Sequence, residues 1–227
     1  MFFRKLFTIF LAFTVLTAAA CGLWESEESA NSGEPPISGQ VETGIPFENK
    51  EPETFQTDIV VTNYANGEKS EKRYFLARDK NKSLLVFDRE TEGGRSVLRL
   101  CGETFFINDR DKTFSKTEIA PAGVENSDEM REFLTVSWLS RKTFAVFEKL
   151  GTENDLTRFR VRFEDAPLSE IILTYDEKLK LPVRQEFYSI GGEQKTLTMS
   201  VELKNFQPSA DEKYFVLPQG YKKSDTR

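Results

Sequence analysis

Period-two alternation of apolar and polar residues runs through most of this chain, and it leaves little room for any fold but a sheet. In the stretch from Thr196 to Phe206, Leu197, Met199, Val201 and Leu203 alternate with Thr198, Ser200, Glu202 and Lys204. From Leu156 to Glu164, Phe159, Val161 and Phe163 alternate with Arg158, Arg160 and Arg162. Successive side chains of a strand point to opposite faces, so such stretches are half-buried strands. The same reading holds for 55–64, 69–78, 83–89, 95–101, 104–107, 113–119, 143–150, 170–175 and 183–189. Turn chemistry separates them: Asn66-Gly67 is a preferred tight hairpin pair, and Gly93-Gly94 and Gly191-Gly192 read as further hairpin turns. Short connections make sequential strands antiparallel neighbours.

The alternation breaks once. Ser127 can cap a helix whose first turn holds Asp128 and Glu129, and Met130, Phe133, Leu134, Ser137 and Trp138 share one helical face. The spacing predicts a helix over 128–141, and a shorter helical turn is expected at 209–214. A sheet with an apolar face must have it covered. One helix covers so many strands only if the sheet curls around it. The expected fold class is therefore mainly β (α+β): a curved antiparallel sheet forming an unclosed half-barrel wrapped around one or two helices.

The first residues set an address. Arg4 and Lys5 precede an apolar run from Leu6 to Leu16, followed by Ala18-Ala19-Ala20-Cys21. That is the order of a signal peptide. The run is shorter than the ~20 apolar residues a spanning helix needs. Three small residues before a cysteine resemble the bacterial lipobox, with Ala18 where Leu is commonest. This implies cleavage before Cys21 and its lipidation, with palmitate among the acyl chains. Gly22, where an Asp would signal inner-membrane retention, favours the outer membrane. The expected organisation is a lipoprotein signal peptide at 1–20, a flexible tether at 21–53, one half-barrel domain at 54–223 and a tail at 224–227. The tether is rich in Glu, Ser, Gly and Pro, although Ile45-Pro46-Phe47 can dock on the domain. The expected location is a bacterial membrane, lipid-anchored and facing the periplasm.

Composition narrows the chemistry. The chain has no histidine, which removes the commonest general base and metal ligand near neutral pH. No phosphate-binding glycine loop, calcium loop or cofactor motif is found, so no cofactor and no metal site are expected. The net charge of -6 argues against nucleic acid as a partner. Once Cys21 is lipidated, Cys101 has no disulfide partner, and its place beside alternating apolar residues reads as a small buried hydrophobe.

Three strings carry a family resemblance. They are Tyr175-Asp176-Glu177-Lys178-Leu179-Lys180-Leu181-Pro182-Val183-Arg184-Gln185-Glu186-Phe187-Tyr188, the close formed by Asn205-Phe206 and Phe215-Val216-Leu217-Pro218-Gln219-Gly220-Tyr221, and Gly102–Asp109. They resemble the LolA/LolB-like superfamily over about residues 55–223, closest to its uncharacterised lipoproteins. The resemblance implies an unclosed barrel with a helical lid, whose apolar face binds acyl chains. No arginine here matches the carriers' gating position; Arg73, Arg78, Arg95 and Arg99 are the available stand-ins.

The candidate ligand-lining residues are Phe75, Leu85, Phe87, Leu98, Leu100 and Phe105 on the early strands, with Phe133, Leu134 and Trp138 on the helix; for each, plain core packing is the competing role. The row Arg158, Arg160, Arg162 reads as a solvated face paired with acids such as Glu170 and Glu186. The functional expectation is a membrane-anchored, non-catalytic lipoprotein that holds a lipid or lipoprotein acyl chain. The alternative is an envelope protein-interaction or stress-sensor lipoprotein with a filled barrel and a protein partner.

Overall fold

The computed structural model describes residues 41–42, 44–48, 52–87, 94–117, 145–192 and 194–224. All of them belong to one unit, Gly39–Arg227. The signal-peptide segment and the expected helix at 128–141, with Phe133, Leu134 and Trp138, lie outside the described residues.

The alternating stretches form strands, and the tight turns set their neighbours. In chain order these are β1 (Val41–Glu42), β2 (Thr54–Ala65), β3 (Glu68–Asp79), β4 (Lys82–Phe87), β5 (Arg95–Leu100), β6 (Glu103–Asn108), β7 (Thr113–Thr117), β8 (Ala145–Glu153), β9 (Leu156–Phe163), β10 (Ser169–Asp176), β11 (Leu181–Gly191), β12 (Gln194–Gln207) and β13 (Lys222–Lys223). Among the described residues they make a single sheet in the order β1-β8-β9-β10-β11-β12-β2-β3-β4-β5-β6-β7-β13. It is an unclosed curved sheet, as the alternation predicts. Every pairing is antiparallel except β13 with β7. Two meanders, β2–β7 and β8–β12, are joined where β12 lies beside β2, with Val201 opposite Val61 and Leu203 opposite Ile59.

Several connections are two-residue turns with both residues at positive φ. Asn66 and Gly67 have φ of 53° and 80°, the primed turn whose twist matches that of paired strands. Asn154 and Asp155 do the same between β8 and β9, at 48° and 64°. Cys101 and Gly102, at 47° and 87°, form the third, between β5 and β6. This corrects the reading of Cys101 as a buried hydrophobe. The chain reverses at Cys101 instead of continuing the strand, and the thiol is exposed. A second correction concerns β8, which continues through Gly151 instead of ending there. The register shifts between Lys149 and Gly151, and this bulge absorbs the glycine at a φ of 147°.

The segment ahead of β2 is also not polar tether throughout. β1 pairs with β8, and Ile45 and Phe47 pack on the cluster formed by Phe147, Phe159, Val161, Phe163, Ile171, Leu173 and Tyr175. Two apolar side chains within a polar stretch find the apolar end of the sheet, so the folded domain takes in part of the 21–53 segment. At the other terminus the expected helical turn is a short 3₁₀ helix, Glu212–Phe215, capped by Asp211, whose carboxylate accepts from the Lys213 amide at 3.1 Å.

Candidate ligand-binding face

The pairing registers sort the side chains into two faces. On the first face, Phe147, Val161, Ile171, Phe187 and Met199 line up across β8, β9, β10, β11 and β12. The next row is Phe159, Leu173, Gln185, Val201 and Val61. Further along, Leu203, Ile59, Tyr74 and Phe87 form a third row, and Thr57, Leu76, Leu85, Val97 and Phe106 a fourth. These side chains are uncharged, but the second row continues to Lys149 at one end and Lys72 at the other, and the third continues past Phe87 to Arg95. Val161, Leu173 and Ile59 are fully buried, and Thr57 and Gln185 are the buried polar members. Thr57 is satisfied by donating to the Lys204 carbonyl at 3.0 Å.

The second face differs between the two meanders. Along β8–β12 it is ionic. Glu170, 5% exposed at its side chain, faces Arg162 at 3.3 Å, Arg160 at 3.6 Å and the Lys195 ammonium. Arg160 also donates to Glu148 at 3.0 Å. Burial by itself would raise the Glu170 pKa; Lys195, Arg162 and Arg160 outweigh it and hold the carboxyl below the usual range. The expected acid partner Glu170 is thus present. Glu186 instead pairs with Arg184 at 2.7 Å, and Glu148 is the partner that the sequence reading lacked. Along β3–β7 the second face is apolar: Phe75, Ala77, Leu84, Val86, Leu98, Phe105, Ile107 and Phe114 lie there in register. The segment after β12 covers them. Phe215 and Tyr214 pack on Phe75 and Ala77, while Leu217 and Tyr221 pack on Leu98, Phe105 and Ile107. The Tyr221 hydroxyl donates to Asp109 at 2.9 Å and fixes the end of this cover.

The candidate lining residues therefore do not share a face. Leu85 and Phe87 are on the first, beside Ile59 and Leu76. Phe75, Leu98, Leu100 and Phe105 are on the second, under the C-terminal cover. Of the arginine stand-ins, Arg78, Arg95 and Arg99 have first-face register positions, whereas Arg73 is on the second and donates to Glu71 at 2.8 Å. The sequence reading left Phe147, Phe159, Val161, Ile171, Leu173, Tyr175 and Phe187 out of the candidate set. The strict alternation of Phe159 and Val161 with Arg158, Arg160 and Arg162 on β9 was the signal that marks this face.

At the β8–β10 end the first face opens into a cleft of about 340 Å³. Phe147, Phe159 and Tyr175 form its floor, Pro46, Phe47 and Glu48 one wall, and Lys149, Glu177 and Lys180 its rim. That volume lies at the small end of ligand sites, ~300–1,000 Å³. Burial, then the charges of Glu177, Glu48 and Asp176, push the Tyr175 hydroxyl up to about 12, so it stays protonated and donates to the Glu48 carbonyl at 3.2 Å. Among the described residues no cluster of three or more metal-ligating side chains occurs.

No protein-family profile and no curated protein matches the sequence. Solved structures similar to it include a LolA superfamily protein from Nitrosomonas europaea, with 12% identity, 74% of this chain and 92% of that chain covered, and a TM-score of 0.33. A DUF1329 family protein from Desulfovibrio piger is similar over 73% of this chain and 90% of its own, with 12% identity and a TM-score of 0.30. PNGF-II is similar over 76% of this chain at 10% identity and a TM-score of 0.30, and only 31% of its length is covered. At such scores no ligand or activity passes from them to this chain.

Proposed function

We propose that this protein is a membrane-tethered, non-catalytic lipoprotein of the bacterial envelope, anchored through acylated Cys21, and that it holds a lipid or lipoprotein acyl chain on the first face of its sheet. One observation carries the reading. The apolar rows of that face extend over β8–β12 and, from β2, over β3–β6, with charged side chains at their margins, and they open into the cleft at the β8–β10 end. Such a face binds by burial, worth ~25 cal/mol per Å² of apolar area, and takes a chain of methylenes without needing a polar partner for each atom. Lys149, Glu177 and Lys180 at the rim keep a polar headgroup in water. The sequence places the acyl anchor on the same chain, which sets the binding face beside its source of ligand.

Native mass spectrometry of the full chain released from membranes in mild detergent tests the reading. A population carrying a non-covalent acyl lipid, in addition to any covalent anchor, is the expected result. Chains that fly bare under conditions where a known lipid carrier keeps its ligand would overturn it and favour the filled-barrel interaction protein. For the anchor, Cys21→Ser is expected to abolish palmitate labelling and release the chain from membranes. Equal membrane retention of both forms, with neither labelled, would remove the anchor from the proposal.

A further inference from the structure

We propose that the strap Ile45–Glu48 stands in for the ligand on the first face, and that an acyl chain enters by displacing Phe47; this rests on the function proposed above. Phe47, in the wall of the cleft, packs directly on its floor residues. Its ring stacks on Tyr175 at 4.5 Å and 29°, tilts against Phe159 at 5.4 Å, and meets Phe147 edge-on at 6.1 Å. Those three residues belong to the first face and are 1–6% exposed, whereas Phe47 and Ile45 are only half-buried. The floor is thus built into three strands, and its occupant is not.

Among the described residues, polar attachments of the strap are few beside the packing of Ile45 and Phe47. β1 contributes two residue pairs with the edge of β8, Val41 with Glu148 and Glu42 with Phe147. One side-chain hydrogen bond, from the Tyr175 hydroxyl to the Glu48 carbonyl at 3.2 Å, holds the far side. Each interior strand, by contrast, is paired along its length on both sides. An aromatic ring lifted from this floor and an acyl chain laid on it cover the same apolar surface, so the exchange leaves no apolar floor in water. Removal of the strap also takes away the wall formed by Pro46, Phe47 and Glu48.

The test uses the full chain in membranes and a diazirine-bearing palmitate, with half-saturation of crosslinking as the readout. Phe47→Ala is expected to lower the half-saturating concentration ~10-fold, the size of one aromatic cluster contact converted to affinity. Tyr175→Phe keeps the ring, loses only the hydrogen bond to the strap, and is expected to lower it about twofold to threefold. Should Phe47→Ala fail to fold, Tyr175→Phe alone decides. Saturable labelling of the wild type that is unchanged or weakened in these variants overturns the strap inference and leaves the binding function standing, with Phe47 as part of the wall. Labelling that saturates in none of the three overturns both.

Discussion

The two meanders of this sheet solve the same problem with opposite chemistry. In β8–β12 each strand is two-sided: one face is aromatic and aliphatic, and the other carries Arg160, Glu170 and Glu148 in an ionic row. In β3–β7 apolar side chains lie on both faces, with Arg78, Arg95 and Arg99 among those of the first, and the second is closed by the chain's own C-terminal segment, with Phe215 and Leu217 as its plugs. The first solution needs no second layer. The second needs one, and the strand pattern alone does not supply it. The lesson is that an apolar face in this molecule has two fates. On the outside of β3–β7 it is sealed by a segment held through Phe215, Tyr214, Leu217 and Tyr221. At the β8–β10 end of the first face it is covered by a strap that, among the described residues, is held by two edge pairs, one side-chain hydrogen bond and the packing of Ile45 and Phe47. The weakly covered surface is the one suited to exchange.

Breaking the C-terminal cover should have the largest effect. Phe215→Ala removes a 5%-exposed ring from against Phe75 and Ala77, and from under the Lys82 ammonium 5.6 Å from its centroid. It is expected to cost ~3 kcal/mol of unfolding free energy. Hydrogen exchange should show the loss in β3–β6 while β9–β11 stay protected. Even loss across both meanders would show that the two solutions are not independent.

The ionic face supplies the next effect. Glu170→Gln leaves Arg160, Arg162 and Lys195 facing a neutral amide and is expected to cost about 2 kcal/mol near neutral pH, below the cost of breaking a dry pair because Arg162 and Lys195 reach water. The pH dependence has a definite sign. The carboxyl's folded pKa lies below its unfolded one, so its charge stabilises the fold above the unfolded value, and that contribution fades as the pH falls through the folded value. Denaturant midpoints of wild type and variant should therefore converge in acid. A gap that stays constant with pH would mean that the carboxylate's charge is not what the variant lost.

The smallest effect is at the end of the cover. Tyr221→Phe deletes the hydrogen bond to Asp109 and keeps the ring on its apolar neighbours. About 0.5–1 kcal/mol is expected, read from the same denaturation curves. A loss as large as that of Phe215→Ala would make the polar latch, rather than the apolar plugs, the main hold on β3–β7.

The strict alternation of β9, with arginine at 158, 160 and 162, told both faces of that strand apart before any neighbour was known. The runs Tyr74-Phe75-Leu76-Ala77, Leu84-Leu85-Val86-Phe87 and Phe105-Phe106-Ile107 could not be divided in that way, because each is apolar at consecutive positions. Phe75 and Leu85 consequently looked like members of one lining set, and the registers place them on opposite faces. Cys101 was misplaced for a related reason. A cysteine among leucines reads as strand interior, whereas Gly102 beside it completes a turn that requires positive φ at both residues.

The sequence by itself determined the strands, most of their turns and the one-sidedness of β8–β12, since these follow from side-chain period and turn chemistry over a few residues. Only the tertiary structure decided which apolar surface is sealed and which is weakly covered. That outcome depends on β12 pairing with β2, on residues 208–224 folding back over β3–β7 and on Phe47 reaching Tyr175. Each of these contacts joins segments far apart in the chain, and a local period of two carries no information about what will lie on top of a face.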